Sequence, residues 1–284
     1  MKLSRSDADV FLPRADGSMA EQALARTTHL CVVAHQDDLE IMAHHGIAAC
    51  YGRRDQFFTG VVVTNGSGSP RAGAYASFTD AQMIDARRQE QRRAAELGRY
   101  NLMLQLAHPS ADVKRPGHAG VHEDLAQIFG ACTPEIVYLH QPADKHDTHV
   151  AVLLRCLEAI RALPADRRPR RVVGCEGWRD LDWLADEDKI GLDASAQPEL
   201  ALELIKVFDS QVAGGKRYDL AALGRRRANA TFHTSHATDA ASAITWAMDL
   251  TPLVADATLS VREFTLTHVE KLRCDIAARI TRLE

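Results

Sequence analysis

Between residues 28 and 175 the chain alternates short apolar runs rich in β-branched residues with amphipathic, helix-like segments, and this alternation narrows the available folds more than any other feature. The runs are Thr28 to Ala34 (THLCVVA), Phe57 to Thr64 (FFTGVVVT), Tyr100 to Leu106, Ile136 to His140 and Arg171 to Cys175. Between them lie a helical pattern through Ile41, Ala43, Ile47, Ala48 and Tyr51, an Arg-rich helix at Asp80 to Leu97, and helices near His122 to Cys132 and Thr148 to Leu163. A right-handed strand–helix–strand crossover places each helix on a sheet face. The predicted fold class is therefore α/β, a Rossmann-like and mostly parallel sheet of order about 3-2-1-4-5 with helices on both faces. At 284 residues and 46% hydrophobic content the chain can build such a core.

After Gly177 the rhythm changes. WRDLDWLADEDK is acidic and aromatic, Pro198 to Phe208 reads as helix, GGKRYDLAALGRRRANATFHTSH as turn-rich and basic, and Val261 to Leu283 as a final helix. Residues 1–176 are read as the core and 177–284 as a mixed carboxy-terminal extension packed on it in the same domain, since nothing resembling a hinge precedes it.

The 34 Lys and Arg residues against 38 Asp and Glu give a net charge of -4, which offers no global attraction to nucleic acid or an anionic membrane. A small-molecule partner is expected, with homo-oligomerisation left open. The six cysteines form no close pair and read as buried, reduced core residues. The polar amino terminus lacks the apolar stretch of a signal peptide, and no segment has membrane-spanning length, so a cytoplasmic location is expected.

Two histidine clusters lie where such a sheet places its active site, outside the carboxyl ends of its strands at the point where strand order reverses. AHQDDLE (Ala34 to Glu40) follows the first strand and brings His35, Asp37 and Asp38 together; DKHDTHVAV (Asp144 to Val152) follows the fourth and carries His146 and His149 three residues apart. Strands one and four are neighbours in the expected order, so both clusters meet in one cleft. Three N/O ligands with an open position make a catalytic rather than structural zinc site, and a His/carboxylate set also accepts Fe²⁺ or another divalent metal. His44 and His45, inside the helix that follows, read as hydrogen-bonded or exposed residues rather than a second site.

These motifs resemble the LmbE-like, or PIG-L, deacetylases, zinc-dependent enzymes acting on N-acetylglucosaminyl substrates. The family's [A/P]-H-P-D-D and H-P-D-H motifs appear as AHQDD and HDTH, with weaker likeness at VVVTNG and RRQEQRRAAELG. The resemblance covers about residues 27 to 175. It implies His35, Asp38 and His149 as metal ligands, Asp37 as general base and a protonated His146 facing the substrate carbonyl. Gln36 stands where the family has Pro, and Thr148 where it has an Asp that orients the neighbouring histidine; Asp147 and Asp144 are the available substitutes. Arg87, Asn65 and Trp178 are candidate contacts to a sugar, and the loop GSGSPR (Gly66 to Arg71) can cover it. The implied function is removal of an N-acyl group, acetyl in the family, from an amino sugar or glycoconjugate. Another single-metal hydrolase, or a metal- or sugar-binding protein without catalysis, is the alternative.

Overall fold

In a computed structural model, which describes residues 1–14, 16–234 and 236–284, the five apolar runs become five adjacent parallel strands. The chain runs β1 (Asp9–Phe11), α1 (Ala20–Ala25), β2 (His29–Val33), α2 (Asp38–Met42), α3 (His44–Cys50), β3 (Phe58–Thr64), α4 (Asp80–Leu97), β4 (Leu102–His108), α5 (Ser110–Lys114), α6 (Ala119–Ala131), β5 (Ile136–His140) and α7 (Asp147–Arg161). It continues with β6 (Val172–Cys175), β7 (Lys189–Asp193), α8 (Pro198–Lys206), α9 (Asp209–Val212), α10 (Tyr218–Phe232), β8 (Ile244–Asp249), α11 (Thr251–Ala255) and α12 (Val261–Leu283).

The sheet order is β1-β4-β3-β2-β5-β6-β8-β7. Its centre, β4-β3-β2-β5-β6, is the expected order of five. Three antiparallel strands extend it beyond the sequence reading: β1 on β4, β8 on β6, and β7 on β8. The strand pair formed after Gly177 thus continues the same sheet. Every residue of β2 to β6 is buried, because helices cover both faces. Period-two alternation divides β2 between two cores: Leu30 and Val32 pack on one face with Val61, Leu104 and Leu153, and Cys31 and Val33 on the other with Leu39, Val62 and Tyr138. Each such side chain taken from water contributes about 1.5–3 kcal/mol.

Gly60 of β3 lets α2, the helix that presents the first motif, settle on the sheet. A Cβ there would lie 2.8 Å from Leu39 Cδ1 and 3.0 Å from Met103 Sδ.

Four local expectations are corrected. The helix after β2 is two helices, α2 and α3, meeting at Ala43, whose φ of -115° and ψ of 26° leave the helical region. The segment read as turn-rich contains the 15-residue helix α10, since Tyr218, Ala221, Ala222, Arg225 and Arg226 share one helical face that Gly224 does not interrupt. The helix expected to reach Phe208 ends at Lys206. Five cysteines are free and buried, but Cys274 is exposed on α12. No described helix is long and apolar enough to cross a membrane.

Candidate active site

β2 and β5 are hydrogen-bonded neighbours, and the order of the parallel strands reverses between them. The chain leaving β2 is pinned there on both sides: Ala34 donates its N–H to His140 Nε2 (2.9 Å), and its carbonyl accepts from Thr64 N (3.0 Å) and Thr64 Oγ1 (2.8 Å). His35 occupies the turn and Asp38 opens α2, with His35 N–H donating back to Asp38 Oδ2 at 2.8 Å. Across the crevice His146 caps α7 and His149 lies in its first turn.

The three expected ligand atoms converge. His35 Nδ1 lies 3.3 Å from Asp38 Oδ2, His149 Nε2 lies 3.4 Å from the same oxygen, and the two ring nitrogens are 3.3 Å apart. A tetrahedral ion with bonds of about 2.0–2.1 Å separates its ligands by about 3.3–3.4 Å, so the trio fits a metal such as zinc. Burial alone would raise the Asp38 carboxyl, but His149 and His35 hold it well below the usual carboxylate range. Burial likewise opposes a proton on His149, yet Asp38 and Asp144 raise it above its ordinary value. The carboxylates draw positive charge to this point.

His140 was not anticipated from sequence. Its ring stacks on His149 with centroids 3.9 Å apart, and its Nε2 lies 3.7 Å from Asp38 Oδ2. That nitrogen already accepts the Ala34 N–H, so His140 buttresses the trio instead of completing it. Behind His149, Nδ1 meets Asp144 Oδ2 at 3.0 Å; Asp144 also accepts the backbone N–H groups of His146, Trp178 and Arg179.

Asp37 sits beside this trio in a left-handed backbone conformation, φ 92° and ψ -30°, which for a residue other than glycine costs about 1–3 kcal/mol. Its N–H donates to Gln91 Oε1 (3.3 Å), its Oδ2 accepts from Arg87 Nη1 (3.3 Å), and Arg87 also donates to the Gln36 carbonyl. Gln91 and Tyr100 both donate to Glu40, at 2.9 and 2.7 Å. This network clamps the strained turn. Burial pushes the Asp37 carboxyl upward, Arg87 opposes that, and Asp38 adds to it; the net shift is upward.

His146 corrects an expectation. Burial, with the nearby His149 and His35, lowers its pKa to about 4, so it is a neutral imidazole near pH 7. Its Nδ1 accepts the Thr148 N–H (3.3 Å), which leaves Nε2 as the protonated nitrogen. The backbone of Thr148 therefore orients this ring, while Asp144 serves His149 and Asp147 serves neither.

His35, Asp37, Asp38 and His146 line a cavity of about 680 Å³ whose other walls include the loop at Gly66 and Gly68 to Pro70 and the Tyr218, Ala221, Ala222 and Arg225 face of α10. Trp178 lines it and is 37% exposed. Arg87 reaches its edge but is buried against Asp37, so it holds the acid in place more directly than it meets a ligand. Asn65 is not among the lining residues. Its Oδ1 accepts the Ser67 N–H at 3.1 Å, and the residue faces a separate small crevice with Gln36 and Gln105. His44 and His45 are occupied by the Ala196 carbonyl and the Tyr138 hydroxyl. The lining from α10 escaped the sequence reading, although its 218, 221, 222, 225 spacing carries the helical signal.

Comparison with known proteins places this geometry. Several solved structures share the fold: N,N'-diacetylchitobiose deacetylase from Pyrococcus horikoshii (TM-score 0.61, 17% identity, 82% of this chain and 86% of that one), a conserved protein from Thermus thermophilus (0.61, 16%, 82% and 99%) and 4-carboxy-2-hydroxymuconate hydratase from Pseudomonas putida (0.56, 18%, 79% and 96%). A deacetylase and a hydratase both occur on it, so fold alone does not choose the reaction. No curated protein sequence matches the chain. Residues 30–160 match the PIG-L family, described as GlcNAc-PI de-N-acetylase. That stretch carries both histidine clusters, and over it the chain is similar to the LmbE-like/PIG-L deacetylases.

Proposed function

We propose that the protein is a metal-dependent N-deacetylase that hydrolyses the acetamide of an amino sugar, with His35, Asp38 and His149 as metal ligands, Asp37 as general base and His146 as a hydrogen-bond donor to the amide oxygen. The observation that carries this reading is the convergence of three ligand atoms within 3.3–3.4 Å of one another beside a carboxylate that belongs to none of those contacts.

Zinc suits the two-histidine, one-carboxylate set, and Fe²⁺ is the next fit. When bound, the ion supplies Lewis acidity towards a carbonyl and makes hydroxide available near neutral pH. The residues do the rest. Asp37, ionised, takes the proton from the attacking water as the carbon–oxygen bond forms. His146, neutral and protonated on Nε2, donates to the oxygen that gains charge. Asp37 then returns its proton to the nitrogen as the carbon–nitrogen bond breaks, and acetate and a free amine leave. Trp178 offers an indole face to the sugar. A cytoplasmic location suits the five buried, unpaired thiols.

Incubation of zinc-loaded protein with the methyl glycoside of N-acetylglucosamine tests the reading. Equimolar acetate and primary amine are expected; metal-loaded protein that leaves this and other N-acetylated amino sugars intact would overturn it.

A further inference from the structure

α10 lies outside the stretch matched to the family, yet its side chains reach both halves of the ligand trio. Arg226 Nη2 donates to the carbonyls of Glu40 (2.6 Å) and Ile41 (3.0 Å), which belong to α2, the helix that opens on Asp38 and ends at Met42. The last carbonyls of a helix lack partners within it. Arg226 serves two of them, and a cation at this end also suits the helix dipole.

On the other side, Arg225 donates to the Gly177 carbonyl. Asn229 Nδ2 donates to Glu176 Oε1 at 2.6 Å, and the same oxygen accepts the Trp246 N–H at 3.0 Å. The segment held in this way, 176–179, is the one whose Trp178 and Arg179 N–H groups fix Asp144 behind His149. One helix therefore grips the segment that presents Asp38 and the segment that backs His149.

The sheet does not hold these two segments together at the site itself. The β2–β5 ladder ends at the pair Cys31 and Tyr138, before His35, Asp38 and His149 are reached. Beyond it, the Ala34 N–H on His140 and the α10 contacts cross the gap. Arg226 is only 2% exposed, and among the described residues no carboxylate lies within ion-pair distance of it. A buried guanidinium without an ionic partner is expensive to desolvate. A methionine would fill the space without that cost, so packing alone does not account for the charge.

We propose that Arg226 is a positioning residue for the metal site, and that α10, through Arg226 on one side and Arg225 on the other, sets the distance between Asp38 and His149. Metal affinity and coordination geometry then depend on a helix that supplies no ligand. This rests on the reading of His35, Asp38 and His149 as ligands.

Co²⁺ titrated into the metal-free protein tests it, because the visible d–d bands report coordination geometry and the same titration yields the affinity. Arg226→Met is expected to weaken Co²⁺ binding about tenfold or more, the usual effect of losing a group that orients ligands, and to change the bands at saturation. Arg226→Lys should recover part of the affinity. Arg225→Gln, at a half-buried position, should move both readouts in the same direction as Arg226→Met. Arg168→Met is the control. Its guanidinium also holds backbone carbonyls, those of Arg161, Leu163, Val254 and Ala255, but it does so before the start of β6, at the end of the sheet away from the site. That variant should lower Tm and leave affinity and bands as in the wild type. Wild-type affinity and bands in folded Arg226→Met overturn the proposal, as they do in Arg225→Gln if Arg226→Met does not fold. An equal change in Arg168→Met also overturns it, since the effect is then general loosening. Wild-type protein that binds no Co²⁺, or bands that survive His149→Ala, would remove the ligand reading and the proposal with it.

Discussion

Oδ2 of Asp144 lies 3.0 Å from Nδ1 of His149, behind the ring whose Nε2 points at His35 and Asp38. A carboxylate in this position fixes the tautomer of a ligating histidine and raises its basicity. Asp144→Asn should therefore weaken zinc binding about 10- to 100-fold, read by competition with a chromophoric chelator. Gly177→Ala should act in the same direction, because its Cβ would lie 2.7 Å from the same oxygen. Wild-type affinity in both variants would remove Asp144 from the metal's surroundings.

Asp37→Ala separates binding from chemistry. Since Asp37 contributes no atom to the converging trio, metal content should stay at the wild-type level while turnover falls by about 10²- to 10⁴-fold, the usual effect of a general base. Unimpaired turnover would exclude Asp37 as the base.

The pH dependence reports on Arg87. Asp37 works as a base only when ionised, and burial raises its pKa against the opposing charge of Arg87, so activity should fall as pH is lowered through that pKa. Removing the charge in Arg87→Met should move the acid limb of kcat/KM to higher pH by about 1–3 units. Arg87→Lys should leave the limb close to the wild-type position. An acid limb that ignores both changes would sever the link between the two residues.

His146 should act without a titration of its own above neutrality, because its pKa is lowered to about 4. No loss of kcat between about pH 7 and 8 is expected from its deprotonation, whereas an imidazolium donor would give one. His146→Ala should lower kcat by about 10²- to 10³-fold, the cost of one oxyanion donor, with metal retained.

The parts legible from sequence are those whose physics is local. β2 to β6 are buried on both faces, so Val32, Val61 and Val137 stand in unbroken apolar runs, and the parallel order follows from the crossovers. His35 and His149 could be paired because both leave adjacent strand ends. β1 spans three residues at a sheet edge, and β7 is only half-buried, so neither carries a comparable pattern. His140 was hidden as the last residue of an apolar strand, where its role depends on a neighbouring strand's backbone. Asn65 lies near the right strand end, but its side chain turns back to Ser67, a local turn preference that outweighed position. The far walls of the cavity carry no shared sequence signal, because their residues are scattered from Gly66 to Arg225 and only the fold brings them to one cavity.

One measurement bears most directly on the assignment: zinc content and amine release followed on the same preparation through a cycle of chelation and reloading, with N-acetylated amino sugars, neutral and anionic, as substrates. The account predicts one zinc per chain, acetate and amine released in equal amounts, activity lost with the metal and restored with it, and both losses together in His35→Ala or His149→Ala. Deacetylation that persists after complete removal of metal, or that survives replacement of either histidine, would contradict it.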